Sequence, residues 1–246
     1  MKIILNGALG RMGSEVEGLA KNGYKDVTIG AFCDANSETP DVYKNINEVK
    51  GKYDAIVDFS HHSSCASLCD YACRTSTPLV IATTGHTDEE KELIKRTSEK
   101  IPVFFSPNMA PGVAFLNAVA KKAAAFFKGA DIEIVERHHK NKLDSPSGTA
   151  KMLASSIQSV TGGDIVSGRD GICPRKDGDI GVSAVRGGNV KGIHEITFYN
   201  KNDTFTITHT AESRGMFAEG ALSAAAFICG KEAGLYDMDD LYGDIL

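Results

Sequence analysis

The stretch Glu136-Arg137-His138-His139-Lys140-Asn141-Lys142-Leu143-Asp144-Ser145-Pro146-Ser147-Gly148-Thr149 gathers two imidazoles, a spaced ammonium and a helix-start signal. Histidine is the side chain whose ordinary pKa lies close to neutrality, so His138 and His139 are candidates for moving a proton. Lys142 can donate a proton or pair with a carboxylate. Ser147-Gly148-Thr149, following Ser145-Pro146, has the grammar of a helix N-terminus, where backbone N–H groups and the positive end of the dipole receive an anion. Upstream, Asp131 to Glu136 alternates polar and apolar with β-branched residues, which predicts a half-buried strand delivering the histidines to its end. Any one of these residues would suit a polar turn; their density predicts a site for an anionic ligand with proton transfer.

Other chemistry is less pointed. Cys65, Cys69 and Cys73 fall at i, i+4, i+8, which is one apolar helix face and not a metal-binding pair, so they are expected to be reduced core residues. His61 and His62 begin a helix without carboxylates or thiolates at ligand spacing, and they are expected at the surface together with His86 and His194. No metal is expected. The 246 residues, 42% hydrophobic and 24% charged, suit two modest domains. A net charge of -5 without a Lys/Arg block makes nucleic acid and anionic membrane poor partners. Met1 leads directly into an apolar strand without a charged leader, and no apolar run approaches membrane-spanning length, so a cytoplasmic protein is expected.

Lys2 to Asn6 reads as a strand, followed by Gly7-Ala8-Leu9-Gly10-Arg11-Met12-Gly13 and a helical run from Ser14 to Lys21. Gly7 permits the tight turn, Gly10 lets backbone approach a pyrophosphate and Gly13 lets helix pack on strand. The spacing is G-x-x-G-x-x-G, so its context must carry the reading. A second strand, Val27 to Cys33, ends in Asp34, placed to accept hydrogen bonds from an adenosine ribose. Strands at 55–59, 78–82 and 102–105 then alternate with helices at 62–74 and 87–100, predicting a doubly wound parallel sheet covered on both faces. Ligands of such sheets bind beyond the carboxyl ends of the strands, which nominates Phe59-Ser60, Thr83-Thr84-Gly85 and Ser106-Pro107-Asn108-Met109. After Pro111-Gly112 the style changes. A long apolar helix (113–127), the site strand, the site helix (149–160) and alternating strands at 181–186, 194–199 and 204–210 predict an α+β domain with a mixed sheet. Two helices leave one sheet face open, and a second subunit is expected to cover it. The alanine-rich helix 215–230 needs burial nearly all round and is returned to the nucleotide domain. The expected division is 1–108 with 217–246 for the dinucleotide (Rossmann) domain and 109–216 for substrate binding and oligomerisation.

Four motifs, Gly-Ala-Leu-Gly-Arg-Met-Gly at 7–13, Thr-Thr-Gly at 83–85, the 136–149 stretch and Ser-Arg at 213–214, resemble the dihydrodipicolinate reductase family along essentially the whole chain. The resemblance implies reduction of 4-hydroxy-tetrahydrodipicolinate by NADH or NADPH in the diaminopimelate route to lysine. It gives His138 the acid/base role, makes Lys142 a proton donor, and has His139, Gly148 and Thr149 hold the dicarboxylate. It also implies that Gly7, Ala8, Leu9, Gly10, Arg11 and Met12, then Ala82, Thr83 and Thr84, then Ser106, Pro107, Asn108 and Met109 line the coenzyme, and that the enzyme is a homotetramer. Ala82 stands where relatives often carry Gly, and Ala35 where some carry Arg.

The residue-level chemistry agrees with that expectation. Hydride addition to a conjugated C=N system leaves negative charge that a positioned acid must quench. Two carboxylates need two anion receptors: the 147–149 helix start, and the cations around His139, Lys142 and Arg214. Asp34 disfavours a 2′-phosphate and Ala35 offers no guanidinium, although Arg11 can still reach one, so NADH is expected to serve at least as well as NADPH. Alternatives are another two-domain dehydrogenase acting on an amino acid or sugar, and a non-catalytic coenzyme-binding regulator that would need neither His138 nor Lys142.

Overall fold

The computed structural model describes residues 1–243. In chain order the elements are β1 (Lys2–Asn6), α1 (Arg11–Lys21), β2 (Thr28–Cys33), β3 (Val42–Tyr43), β4 (Ala55–Asp58), α2 (Cys65–Thr75), β5 (Leu79–Ile81), α3 (Asp88–Ser98), β6 (Pro102–Phe105) and α4 (Pro111–Phe126). Then follow β7 (Asp131–His138), α5 (Gly148–Thr161), β8 (Ile165–Ser167), β9 (Ile180–Arg186), β10 (Ile193–Tyr199), β11 (Thr204–Thr210), α6 (Gly215–Ile228), β12 (Gly234–Tyr236) and α7 (Met238–Tyr242). Two compact units result, one of Met1–Pro111 with the segment from Arg214 on, the other of Gly112–Ser213.

The first unit is built on a parallel sheet of order β12-β6-β5-β4-β1-β2-β3. β4 and β5 are buried along their whole length, as strands covered on both faces must be. Ile4, Ile56, Leu79, Ile81 and Val103 form one core with Leu68, Cys69 and Ala72 of α2. α6 packs on β4, β5 and β6, and its Ala218, Ala221, Leu222, Ala224, Ala225 and Ile228 are fully buried. α3 starts on a reciprocal cap between Thr87 and Glu90, with acids in its first turn and Lys95 and Arg96 in its last.

In the second unit the sheet order is β11-β10-β7-β9-β8, with β7–β9 and β8–β9 parallel and β10 antiparallel to both β7 and β11. Ile132, Ile134, Val182, Ile196 and Phe198 face Leu116, Ala120 and Ala123 of α4 and Leu153 and Ile157 of α5. The reverse face carries Glu133, Arg137, Glu195, Val185 and Tyr199, the last two each 48% exposed.

β3, β8 and β12 are absent from the sequence reading, because strands of two or three residues show no periodicity. α2 starts at Cys65, after a tight turn at His62–Ser64 in which His61 Nδ1 accepts from the Ser63 amide. Two of the four histidines expected at the surface are buried. His86 lies edge-on to Phe105 at 5.4 Å, and His194 is on the inward face of β10. Burial is the main cause lowering the proton affinity of both, so each packs as a neutral ring.

Candidate active site

β7 explains itself by alternation. Its inward positions run Ile132, Ile134, Glu136, His138, so the apolar face of the strand becomes polar at its carboxyl end. Register then selects the neighbours: β10 sets His194 opposite Glu136, and β9 sets Arg186 opposite His138. Glu136 is fully buried and accepts four hydrogen bonds. His138 Nδ1 lies 2.6 Å from its Oε2, Arg186 donates from Nη1 and Nη2 at 2.8 Å each to Oε2 and Oε1, and the Ser147 amide donates at 2.9 Å to Oε1. Burial pushes the Glu136 carboxyl up, but the Arg186, His138 and Ser147 donors outweigh it and hold the group below the usual carboxylate range. Ser147 caps α5 by accepting from the Ala150 amide at 3.2 Å, and its hydroxyl lies 3.1 Å from His194 Nε2. The His138 and His194 rings stand edge to face with centroids 5.3 Å apart, and burial pulls His194 down to about 4.

The loop between β7 and α5 is tied down at several points. Arg186 donates to the Asp144 carbonyl at 2.7 Å, the Lys140 amide to Gly188 and the Lys142 amide to His139. Lys142 Nζ pairs with Asp144 at 2.9 Å and thereby lowers the Asp144 carboxyl. His139 is half-buried, while Gly148 lies exposed in the first turn of α5 beside half-buried Thr149. His138, His139, Lys142, Gly148 and Thr149 thus occupy one strand exit and the helix start that follows it. Arg214 is exposed at the start of α6, in the other unit.

Sequence reasoning missed Arg186 and His194, and it read Glu136 only as strand. The signal for Glu136 was present, since it shares the inward parity of His138; Arg186 and His194 depend on register, which one strand's sequence does not carry.

In the first unit, β1 borders β2 on one side and β4 on the other, and the chain leaves β1 at this switch point. A cleft of about 490 Å³ opens there, lined by Gly7, Gly10, Asp34, Ala35, Phe59 and Ser60 among others. Gly7 has φ +79°, and a Cβ on it would stand 2.5 Å from the Phe59 carbonyl carbon; one on Gly13 would overlap the Ala8 carbonyl oxygen. The amides of Gly7 and Ala8 donate to Cys33, that of Leu9 to Asp34 at 3.0 Å and that of Gly10 to Gly7. That leaves the amides of Arg11, Met12 and Gly13 at the start of α1 without a side-chain cap, as a helix start that can receive an anion. Asp34 is buried and also accepts from the Asn36 amide, so it braces the glycine loop as well as facing the cleft. Ala82, Thr83, Thr84, Ser106, Pro107, Asn108 and Met109 follow β5 and β6 at the same carboxyl edge. Buried Asp58 accepts from Asn6 Nδ2 at 2.7 Å, Ser60 Oγ at 2.6 Å and Thr83 Oγ1 at 2.7 Å, linking the turns after β1, β4 and β5. This glycine cradle, uncapped helix start and cleft fit a dinucleotide. Among the described residues no group of three or more His, Cys, Asp or Glu gathers to hold a metal.

Two family models match, described as dihydrodipicolinate reductase, N-terminus, over residues 1–109, and dihydrodipicolinate reductase, C-terminus, over residues 112–242. A 4-hydroxy-tetrahydrodipicolinate reductase of Caldanaerobacter subterraneus subsp. tengcongensis is 42% identical over 246 residues, covering 98% of each chain. One from Clostridium perfringens is 39% identical over 248 residues with the same coverage. Among solved structures, the dipicolinate-bound dihydrodipicolinate reductase of Paenisporosarcina sp. TG-14 superposes with a TM-score of 0.82 at 23% identity, covering 100% of this chain and 99% of that one. The two family models and these relatives together match nearly the full length, and the chain belongs to the dihydrodipicolinate reductase family.

Proposed function

We propose that this protein reduces 4-hydroxy-tetrahydrodipicolinate to tetrahydrodipicolinate, in diaminopimelate and lysine biosynthesis, as an oxidoreductase that uses NADH or NADPH. The observation that carries the reading is the buried His138–Glu136 pair at 2.6 Å, set beside an α5 helix start whose first turn holds Gly148 and Thr149. When bound, the coenzyme supplies a hydride from C4 of its nicotinamide. The chain supplies the rest. His138 passes a proton to the substrate from Nε2, with Nδ1 retained by Glu136, and Lys142 is the second proton donor. The α5 amides at Gly148 and Thr149 receive one carboxylate, and His139 and Lys142 receive the other. Dipicolinate, held by the similar enzyme of Paenisporosarcina, is a planar dicarboxylate and should bind the same residues here.

The coenzyme lies on the loops 7–12, 82–84 and 106–109, with Phe59 and Asp34 at the cleft. The Asp34 charge favours ribose hydroxyls over a 2′-phosphate, so NADH serves at least as well as NADPH. In the same reading residues 1–108 with 217–246 bind coenzyme and 109–216 bind substrate, in a cytoplasmic homotetramer whose subunits meet on the reverse face of the second sheet. No helix among the described residues is long and apolar enough to cross a membrane, and a net charge of -5 offers little to nucleic acid. The test is coenzyme oxidation with freshly generated substrate, run beside a panel of amino acids and sugars. Turnover of the first alone is expected; turnover confined to the panel, or coenzyme binding without any turnover, would overturn the reading.

A further inference from the structure

The Glu136 carboxylate sits where the inward face of β7 would otherwise continue as aliphatic core, and its four bonds divide its two oxygens evenly. Oε2 faces His138 Nδ1 and one arm of the Arg186 fork; Oε1 faces the Ser147 amide and the other arm. A carboxylate held by an Arg fork and a backbone N–H has no proton to give, so the hydrogen in the 2.6 Å contact belongs to His138 Nδ1. That leaves Nε2 as the nitrogen that exchanges its proton. Gly192 lies against it, and a Cβ there would stand 3.1 Å from Nε2, so a side chain at 192 would crowd the working atom. The other oxygen holds the amide of Ser147, the residue that caps α5.

We propose that Glu136 is a positioning residue for both halves of the reaction, fixing the tautomer of His138 and the placement of the α5 helix start through one buried carboxylate that the Arg186 fork clasps. The inference rests on the reading above, in which His138 moves a proton and α5 receives a carboxylate. His194 completes the arrangement. It touches the Ser147 hydroxyl and packs against the His138 ring, and burial keeps it a neutral neighbour. The other titratable groups acting on the pair are Lys142 and Asp144 in the loop, and His209, opposite His194 on β11.

Glutamine at 136 offers one acceptor and one donor where two acceptors are needed. With its nitrogen towards His138 it donates to Nδ1 and drives the imidazole proton onto Nε2; turned round, it sets two N–H groups face to face at Ser147. The direct test is a long-range 1H–15N correlation spectrum of the full-length protein labelled with 15N-histidine, with the His138 signals assigned from a His138→Gln sample. The wild-type neutral ring should be Nδ1–H. Glu136→Gln should convert it to Nε2–H, lower kcat by about 10²–10⁴-fold, and weaken binding of dipicolinate. Glu136→Asp, which keeps two acceptors, should restore the Nδ1–H form and part of kcat. A wild-type ring in the Nε2–H form overturns the proposal, as does a Glu136→Gln protein with wild-type tautomer and kcat. If His138→Gln keeps full kcat, the underlying reading of the site fails, an outcome separable from a failure of Glu136 alone.

Discussion

His138→Gln is expected to lower kcat by about 10²–10⁴-fold, the range of a lost general acid, while the thermal midpoint moves little because Gln keeps a donor for Glu136. Lys142→Ala should also depress kcat, and its partly exposed pair with Asp144 contributes under about 1 kcal/mol, so stability is the insensitive readout. Near-normal kcat with a lower midpoint in either variant would assign that residue to structure. His194 makes a pH prediction with a definite sign. Its folded pKa is depressed to about 4, so the unfolded chain takes up a proton that the folded protein refuses as pH falls from about 6.5. Stability present above that value is lost progressively down to pH 4, by roughly 3 kcal/mol for this ring, with His86 and His209 acting in the same direction. Urea midpoints from pH 7 to pH 4 should fall steeply in wild type and less in His194→Asn; equal slopes would refute the assignment. At this scale the sequence revealed the side chains gathered at the exit of β7 and the start of α5, because their types are scarce and clustered. It concealed Arg186 and His194, whose roles arise from strands 50 and 58 positions away from Glu136 in the chain.

Among the elements, the turn between β1 and α1 tolerates substitution poorly. Gly7→Ala places a Cβ at φ +79° and 2.5 Å from the backbone of Phe59, and should cost about 2 kcal/mol or more along with most coenzyme affinity. Gly18→Ala, in the open middle of α1, is the control and should be neutral or slightly stabilising. The proposed coenzyme choice rests on the end of β2. With Asp34 at the cleft and Ala35 beside it, kcat/KM for NADH should equal or exceed that for NADPH, and Ala35→Arg should shift the ratio about tenfold towards NADPH, roughly 1.4 kcal/mol. A wild-type preference for NADPH of about tenfold would defeat the argument. Long elements were legible because period and caps repeat along them: Thr204–Thr210 falls where alternation puts it, and α3 starts on its Thr87 cap. The start of α1 at Arg11 was missed by three residues, since the glycines that open it resemble turn more than helix.

For the whole molecule, the doubly wound sheet and the mixed sheet were both legible, the first from continuous apolar strands and the second from alternating ones. Assembly is the remaining expectation. The reverse face of the second sheet exposes Val185 and Tyr199 beside the Arg137–Glu195 pair at 3.4 Å, and light scattering on the eluting protein should give four times the 26.2 kDa chain mass. Val185→Asp should dissociate it; a monomer in wild type would leave that face to solvent.

The second unit is one unbroken run of chain, whereas the first is interrupted by it, with α6 and β12 arriving after Ser213. On the ribosome the second unit is therefore completed before the first. The substrate unit has all its strands before the nucleotide unit has its last helix, and until α6 is translated the surface it covers on β4, β5 and β6 is bare. The nascent chain thus carries its half-covered parallel sheet through the entire synthesis of the other unit, and that interval is when a chaperone has something to hold.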